Sequence, residues 1–191
     1  MTGPIALPSA VIRPATPADA AGIAQVRVDA WRATYRGMIP DAYLAAMKVE
    51  DSAAMWLRVL SANADVVCVF VAEDAGIVRG FASGNRLAPP KQGRDAELSA
   101  IYLARDWQRS GVGTRLLGAV AGTLHQRGAT GLLTWVIAGN RPARTFYEKL
   151  GATLLVEQPF QWDGLDLVEA GYGWSDLAAL TAACACAPAL H

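Results

Sequence analysis

The sequence predicts an α/β (α+β) fold: one domain, with a mixed, mostly antiparallel central sheet and helices on both faces. Three observations carry this. Residues 66–72 form an apolar, β-rich run, 73–76 favour a turn, and 77–84 return as a second strand, an antiparallel hairpin. Residues 97–103 read as a strand that leads, through a short loop, into a helix opening on Gly111 and Gly113, and 131–137 is a strand again. Strands joined through a helix run parallel. Near the end, strand-like stretches 152–162 and 165–174 are joined by Asp163-Gly164, a strong hairpin signal.

The other elements follow in order. Residues 11–14 read as a short first strand. Thr16-Pro17-Ala18-Asp19 opens a helix: threonine caps, proline suits the first helical position, and aspartate sits in the first turn. That helix carries Ile23, Val26, Arg27, Ala30, Trp31 and Thr34 on related faces and ends near Gly37. Pro40-Asp41 starts a second helix through Met47, and 51–60 make a third. Residues 87–93, with two prolines, read as a loop. Across 111–127, Val112, Leu116, Leu117, Val120 and Leu124 recur at spacings of three and four, one apolar stripe. Gly128 fits the left-handed position after that helix. Asn140 caps the next helix, which tolerates Pro142 in its first turn and ends at Leu150-Gly151. The expected division is a leader at 1–10, a domain at 11–174 and an Ala-rich tail at 175–191.

Lysine plus arginine equals aspartate plus glutamate, 17 each, so no global charge points to nucleic acid. No apolar run is long enough to span a bilayer. Residues 1–10 lack the charge and apolar core of a signal peptide, so a cytoplasmic location is expected. Cys68 lies in an apolar strand and reads as buried and inert. Cys184 and Cys186 are too close for an ordinary disulfide and lack a histidine partner, so no metal is expected.

A strand feeding a glycine-opened helix is a phosphate cradle. Unpaired N–H groups point out of the helix start, where the dipole is positive. From Trp107 to Tyr147 there is no acid, while Arg109, Arg115, Arg127, Arg141 and Arg144 fall in that span. The local excess favours an anionic ligand. Gly-x-Gly alone is equally satisfied by tight packing, so the wider context decides. Gln108-Arg109-Ser110-Gly111-Val112-Gly113 resembles the acetyl-CoA loop of the GCN5-related N-acetyltransferase (GNAT) superfamily, and residues 97–103 resemble the strand placed before it. Further on, Asn140, Ala143 and Phe146-Tyr147-Glu148-Lys149-Leu150-Gly151 are similar to the family's second segment.

The resemblance implies an acetyl-CoA-dependent N-acetyltransferase and assigns candidates. Gln108, Arg109, Ser110, Gly111, Val112, Gly113 and Thr114 would hold the pyrophosphate, with Asn140 as helix cap and cofactor contact. Ile101 would pair with the pantetheine arm, and the Leu103 N–H would donate to the oxyanion. Tyr147 would protonate the leaving thiolate, since a phenol with a pKa of about 10 keeps its proton at neutral pH. The amine must lose a proton, and Glu97, a carboxylate among small and apolar strand residues, is the candidate base. Strand alternation puts Glu97, Ser99, Ile101 and Leu103 on one side. Trp31 and Tyr35 share a helix face, and a similar family segment makes them candidates for lining the acceptor pocket. Packing alone also accounts for Trp31, and a solvated or Arg94-paired carboxylate for Glu97. The expected acceptor is a small-molecule primary amine, with no nucleic acid or membrane partner; a homodimer through the last hairpin stays open. The alternatives are a non-catalytic acyl-CoA-binding module and a protein N-terminal or lysine acetyltransferase. A dinucleotide enzyme ranks low, because residues 131–135 offer no acid for a ribose.

Overall fold

The computed structural model describes residues 10–62 and 66–186; the expected leader, except Ala10, and the end of the tail lie outside them. One sheet of seven strands runs in the order β1-β2-β3-β4-β5-β7-β6. These are β1 (Val11–Pro14), β2 (Val67–Asp74), β3 (Ile77–Lys91), β4 (Arg94–Leu103), β5 (Leu132–Ile137), β6 (Thr153–Trp162) and β7 (Leu165–Trp174). All neighbours are antiparallel except β4 and β5. The helices are α1 (Ala20–Thr34), α2 (Asp41–Ala46), α3 (Val49–Ser61), α4 (Val112–Gln126), α5 (Arg141–Lys149) and α6 (Leu177–Cys186).

Helices α1 and α3 cover the front face, where Ile23, Val26 and Trp56 pack on Val71 and Phe81. Helices α4, α5 and α6 share the larger core behind the sheet. The predicted stripe of α4 is fully buried there. Gly84 of β3 permits that approach, since a Cβ at this position would lie 2.6 Å from Val120 Cγ1.

Two hairpins follow the sequence reading. Ala75-Gly76 (φ +49°, +80°) and Asp163-Gly164 (φ +49°, +78°) turn in the left-handed region, which matches the twist of the flanking strands. The expected loop at 87–93 is corrected: β3 continues to Lys91 and turns at Gln92-Gly93 (φ +48°, +69°) into β4. Pro89 and Pro90 fall in the register break between Arg86 and Lys91, where no ladder N–H is needed. The start of α1 also moves. Residues Pro17–Asp19 form a tight turn, and Asp19 accepts from the Thr16 N–H at 2.7 Å while pairing with Arg13 at 2.7 Å. Arg13 also pairs with Glu73 of β2.

The Ala-rich tail, whose first residues the sequence allows one or two helical turns, begins with the longer helix α6. Leu177, Leu180 and Cys184, spaced by three and four, form a buried stripe of α6 against α4. An alanine-rich composition conceals that periodicity. Gly118 of α4 makes the approach possible, because a Cβ there would lie 2.7 Å from Cys184 Cβ.

Substituting Gly118→Leu should therefore push α6 off α4 and cost about 1–3 kcal/mol, read as a lower midpoint in thermal unfolding; an unchanged midpoint would contradict the packing. The Arg13 guanidinium holds the Asp19 carboxyl down at about 2. Stability from a depressed carboxylate is present above its unfolded pKa and lost as pH falls through the folded one. Asp19→Asn should accordingly destabilise the protein by roughly 1–2 kcal/mol at pH 7 and have a much smaller effect near pH 2, as measured by urea unfolding at both pH values.

Candidate active site

The site is built on β4. Opposite β3, β4 carries one extra residue, Ser99, between the pairs Gly84↔Leu98 and Ser83↔Ala100. A bulge of this kind interrupts alternation. Ala96 and Leu98 face the rear core before it, and Ile101 and Leu103 do so after it. Ala100 and Tyr102 pack against α1 and α3 in front. Glu97 therefore looks forward, away from the side chains of Ile101 and Leu103, and the expected single side for these residues is corrected. Ser99 stays forward too: its Oγ donates to Asn85 Oδ1 at 2.6 Å.

The bulge coincides with a split in the sheet. Strands β4 and β5 pair only at Ala96↔Leu132, Glu97↔Leu133 and Leu98↔Thr134. Beyond this point Tyr102 faces Phe81, and the Ala104 N–H donates to the Arg79 carbonyl at 2.8 Å. In this alternating ladder the N–H and C=O groups of Ile101 and Leu103 then point the other way, into the gap. At the apex, Thr134 Oγ1 donates to the Leu98 carbonyl at 3.0 Å. The phenol of Tyr147, from α5, lies beside Thr134. Its ring is 5% exposed, packed among Phe146, Tyr172 and Trp174, and burial pushes its pKa up.

Helix α4 starts below the gap. Arg109 (φ +60°) and Gly111 (φ +81°) turn the loop, and Ser110 Oγ donates to the Trp107 carbonyl at 2.6 Å. The Gln108 side chain reaches the Leu103 carbonyl at 3.5 Å. The intrahelical ladder starts with the Arg115 N–H on the Gly111 carbonyl, so the N–H groups of Val112, Gly113 and Thr114 have no partner within the helix. No acid lies in the first turn. Gly113 has the tight-packing role that Gly-x-Gly by itself allows: a Cβ there would lie 3.2 Å from Leu103 Cδ1 and 3.6 Å from Phe146. Asn140 is buried, and its Oδ1 caps α5 by accepting from the Ala143 N–H at 3.3 Å.

The arginines divide into two groups. Arg144 is a strut, bonded to the Tyr172 hydroxyl at 2.9 Å, the Ala138 carbonyl at 3.0 Å and Glu157 at 2.7 Å. Arg127 lies at the far end of α4. Arg109, Arg115 and Arg141 have no ion pair among the described residues.

In front of the gap, Trp31 and Tyr35 meet edge to face at 4.8 Å, and Tyr35 is buried. Sequence reading missed their partners. Trp162, at the tip of the last hairpin, lies 4.9 Å from Trp31 and 5.2 Å from Tyr43. Tyr102 lies 6.5 Å from Trp31, and the Arg27 guanidinium sits 5.0 Å over the Trp31 ring. In sequence, Trp162 shows only as the residue flanking a turn. An open cleft of about 450 Å³ adjoins this cluster, lined in part by Met38, Ile137, Gly139 and Leu167. The half-buried Glu97 has no ion pair or hydrogen bond to its carboxylate among the described residues. Arg94 instead donates to the Gly93 carbonyl. Burial raises the Glu97 pKa, Glu169 adds to the rise, and Lys91 opposes it.

Residues 27–152 match the acetyltransferase (GNAT) family. The chain belongs to this family. It is 38% identical over 170 residues to the uncharacterized N-acetyltransferase YuaI of Bacillus subtilis (strain 168), covering 88% of this chain and 95% of that one. Among solved structures, it resembles the PaiA N-acetyltransferase of Thermoplasma acidophilum in complex with coenzyme A (TM-score 0.69, 20% identity, 85% and 98% of the two chains). It also resembles YncA of Salmonella typhimurium with its cofactor acetyl-CoA (TM-score 0.63, 19% identity, 87% and 94%). The GNAT assignment makes the protein an acyltransferase. The outward N–H groups of the gap and of α4, beside unpaired arginines, suit the amides and phosphates of acetyl-CoA. Among the described residues no helix is long and apolar enough to cross a membrane.

If Gly113 seats α4 against β4, Gly113→Val should weaken acetyl-CoA binding at least tenfold by titration calorimetry, while Gly122→Val, facing only Thr181 at 3.4 Å, should leave it unchanged.

Proposed function

We propose that this enzyme transfers an acetyl group from acetyl-CoA directly to a primary amine of a small molecule, with Glu97 as base and Tyr147 as acid. The observation that carries this is the split between β4 and β5, with an unpaired carboxylate on one face and a buried phenol on the other. Acetyl-CoA supplies the acyl group as an activated thioester. The chain supplies orientation and proton traffic.

An alkyl amine with a pKa of about 10.4 is protonated at pH 7 and cannot attack until a base takes its proton. Half-burial with no ion partner keeps Glu97 more basic than an exposed carboxylate, which suits it to that task. The Leu103 N–H, aimed into the gap, donates to an oxygen that gains negative charge, and the Ile101 backbone receives the pantetheine amides as an added strand would. Tyr147 approaches from the rear face and holds a proton at its phenol oxygen for the departing sulfur. Burial secures that proton at neutral pH and makes the phenol a weaker acid, so close placement is essential. Gln108, Arg109, Ser110, Gly111, Val112, Gly113 and Thr114 take the pyrophosphate, and Asn140 fixes the start of α5 beside it. Trp31 and Tyr35, with Trp162, line the acceptor side.

Thiol release from acetyl-CoA with a panel of small amines tests the reading. Turnover with peptides alone would overturn the acceptor class. Glu97→Gln and Tyr147→Phe should each lower kcat by about 10²–10⁴-fold with acetyl-CoA affinity unchanged. Wild-type rates in either variant would remove that residue from the chemistry. Acetyl-CoA binding should vanish in a Gly111→Glu, Gly113→Glu double variant that still folds.

A further inference from the structure

We propose that Asn85 is a positioning residue that orients the Glu97 carboxylate for proton uptake, an inference that rests on Glu97 being the base. Asn85 of β3 is directly opposite Glu97 of β4 in the antiparallel register, on the same face of the sheet. Such pairs hold their Cβ atoms about 4.5–5.5 Å apart. The carboxamide is locked from both ends. Its Oδ1 accepts from Ser99 Oγ at 2.6 Å, and its Nδ2 donates to the Arg86 carbonyl at 3.0 Å. Reversing the amide would set its oxygen against that carbonyl, so this network fixes which end is the donor. One hydrogen of Nδ2 is then spent, and the other has no acceptor among the described residues. A free, oriented N–H stands beside a carboxylate that itself lacks a partner.

The bulge creates this arrangement. With regular pairing, Ser99 would oppose Ser83; the extra residue gives that place to Ala100 and leaves the Ser99 hydroxyl to bond Asn85. Asn85 and Ser99 thus form a small polar floor next to Glu97, at the edge of the gap. An amide N–H favours the ionised carboxylate, directly or through one water, and holds the syn or anti lone pair that receives the proton in a single direction. Other charges acting on Glu97 are Lys91 of β3 and Glu169 of β7, while β5 presents Leu133 at the paired position. On β4 itself, Asp95 is committed to the Thr130 and Gly131 N–H groups and Arg94 to the Gly93 carbonyl.

The experiment is the pH profile of kcat/KM for Asn85→Ala, Asn85→Asp and Ser99→Ala, beside Glu97→Gln. Losing a donor to the charged form raises the carboxyl pKa, so the acid limb should move to higher pH. In Asn85→Ala we expect a shift of about half to one pH unit, read as a threefold to tenfold loss well below the midpoint of the acid limb, with an unchanged high-pH plateau and an unchanged KM for acetyl-CoA. Ser99→Ala should shift the limb less, and Asn85→Asp, which keeps the shape but adds a like charge, should shift it more. An acid limb that stays in place in a folded Asn85→Ala overturns the proposal. So does equal loss at every pH, which would mark a structural role. Should Asn85→Ala fail to fold, Asn85→Asp and Ser99→Ala decide by the same limb. If Glu97→Gln keeps wild-type turnover, the base reading fails and takes this inference with it. If Glu97→Gln abolishes turnover while the Asn85 variants leave the profile unchanged, only the positioning role fails.

Discussion

The sheet stops pairing between β4 and β5 after three residues, and the rest of the site depends on that interruption. Backbone N–H and C=O groups inside a protein carry a free-energy cost unless they find partners. Most of this sheet meets the requirement through its own ladders. At Ile101 and Leu103 it leaves the groups facing a gap that opens between two otherwise continuous halves. In the proposed reading a ligand with amides of its own completes the ladder there, through main chain rather than side chains. The bulge at Ser99 belongs to the same device. It adds twist where the strands part and turns the side chains beyond it to the opposite face.

That reversal makes the sheet a partition. Glu97, Asn85 and Ser99 look to the front, where α1 and the last hairpin bring Trp31, Tyr35 and Trp162 together. Tyr147 and the first turn of α4 lie behind, in the larger core. In the proposed reading Glu97 is the base and Tyr147 the acid. Separated by one layer of backbone, they meet only through what occupies the gap. Charge follows the same division: acids Glu97 and Glu169 interact in front, while the start of α4 behind has no acid in its first turn.

The start of α4 was legible because its features are local. A helix start needs a particular φ at Gly111 and a small residue at Gly113, and both requirements fall on consecutive residues that can be read without knowing their neighbours. Asn140 as a cap and the Asp163-Gly164 turn were legible for the same reason. The facing of Glu97 was not. A period of two assumes regular pairing, and a bulge is decided by the partner strand, here at Ser83 and Gly84. The strand from Leu87 to Lys91 was hidden by its prolines, and α6 by its alanines. Arg144 illustrates the limit of charge counting. It contributed to an apparent anion site, yet it is bonded to Tyr172, Ala138 and Glu157.

By itself, then, the sequence determined most of the element types, the hairpin turns at Ala75-Gly76 and Asp163-Gly164, the anion-ready start of α4 and the family. These rest on hydrophobic period, on φ at glycine and aspartate, and on capping, all of which act within a few residues. Only the tertiary structure decided which face Glu97 takes, that Asn85 stands opposite it, that Trp162 joins Trp31, and that Arg144 is a strut rather than a ligand. Each of these depends on the register between strands or the docking of a hairpin on a helix. Such contacts join residues far apart in the chain, and their partners are chosen by how the whole core packs.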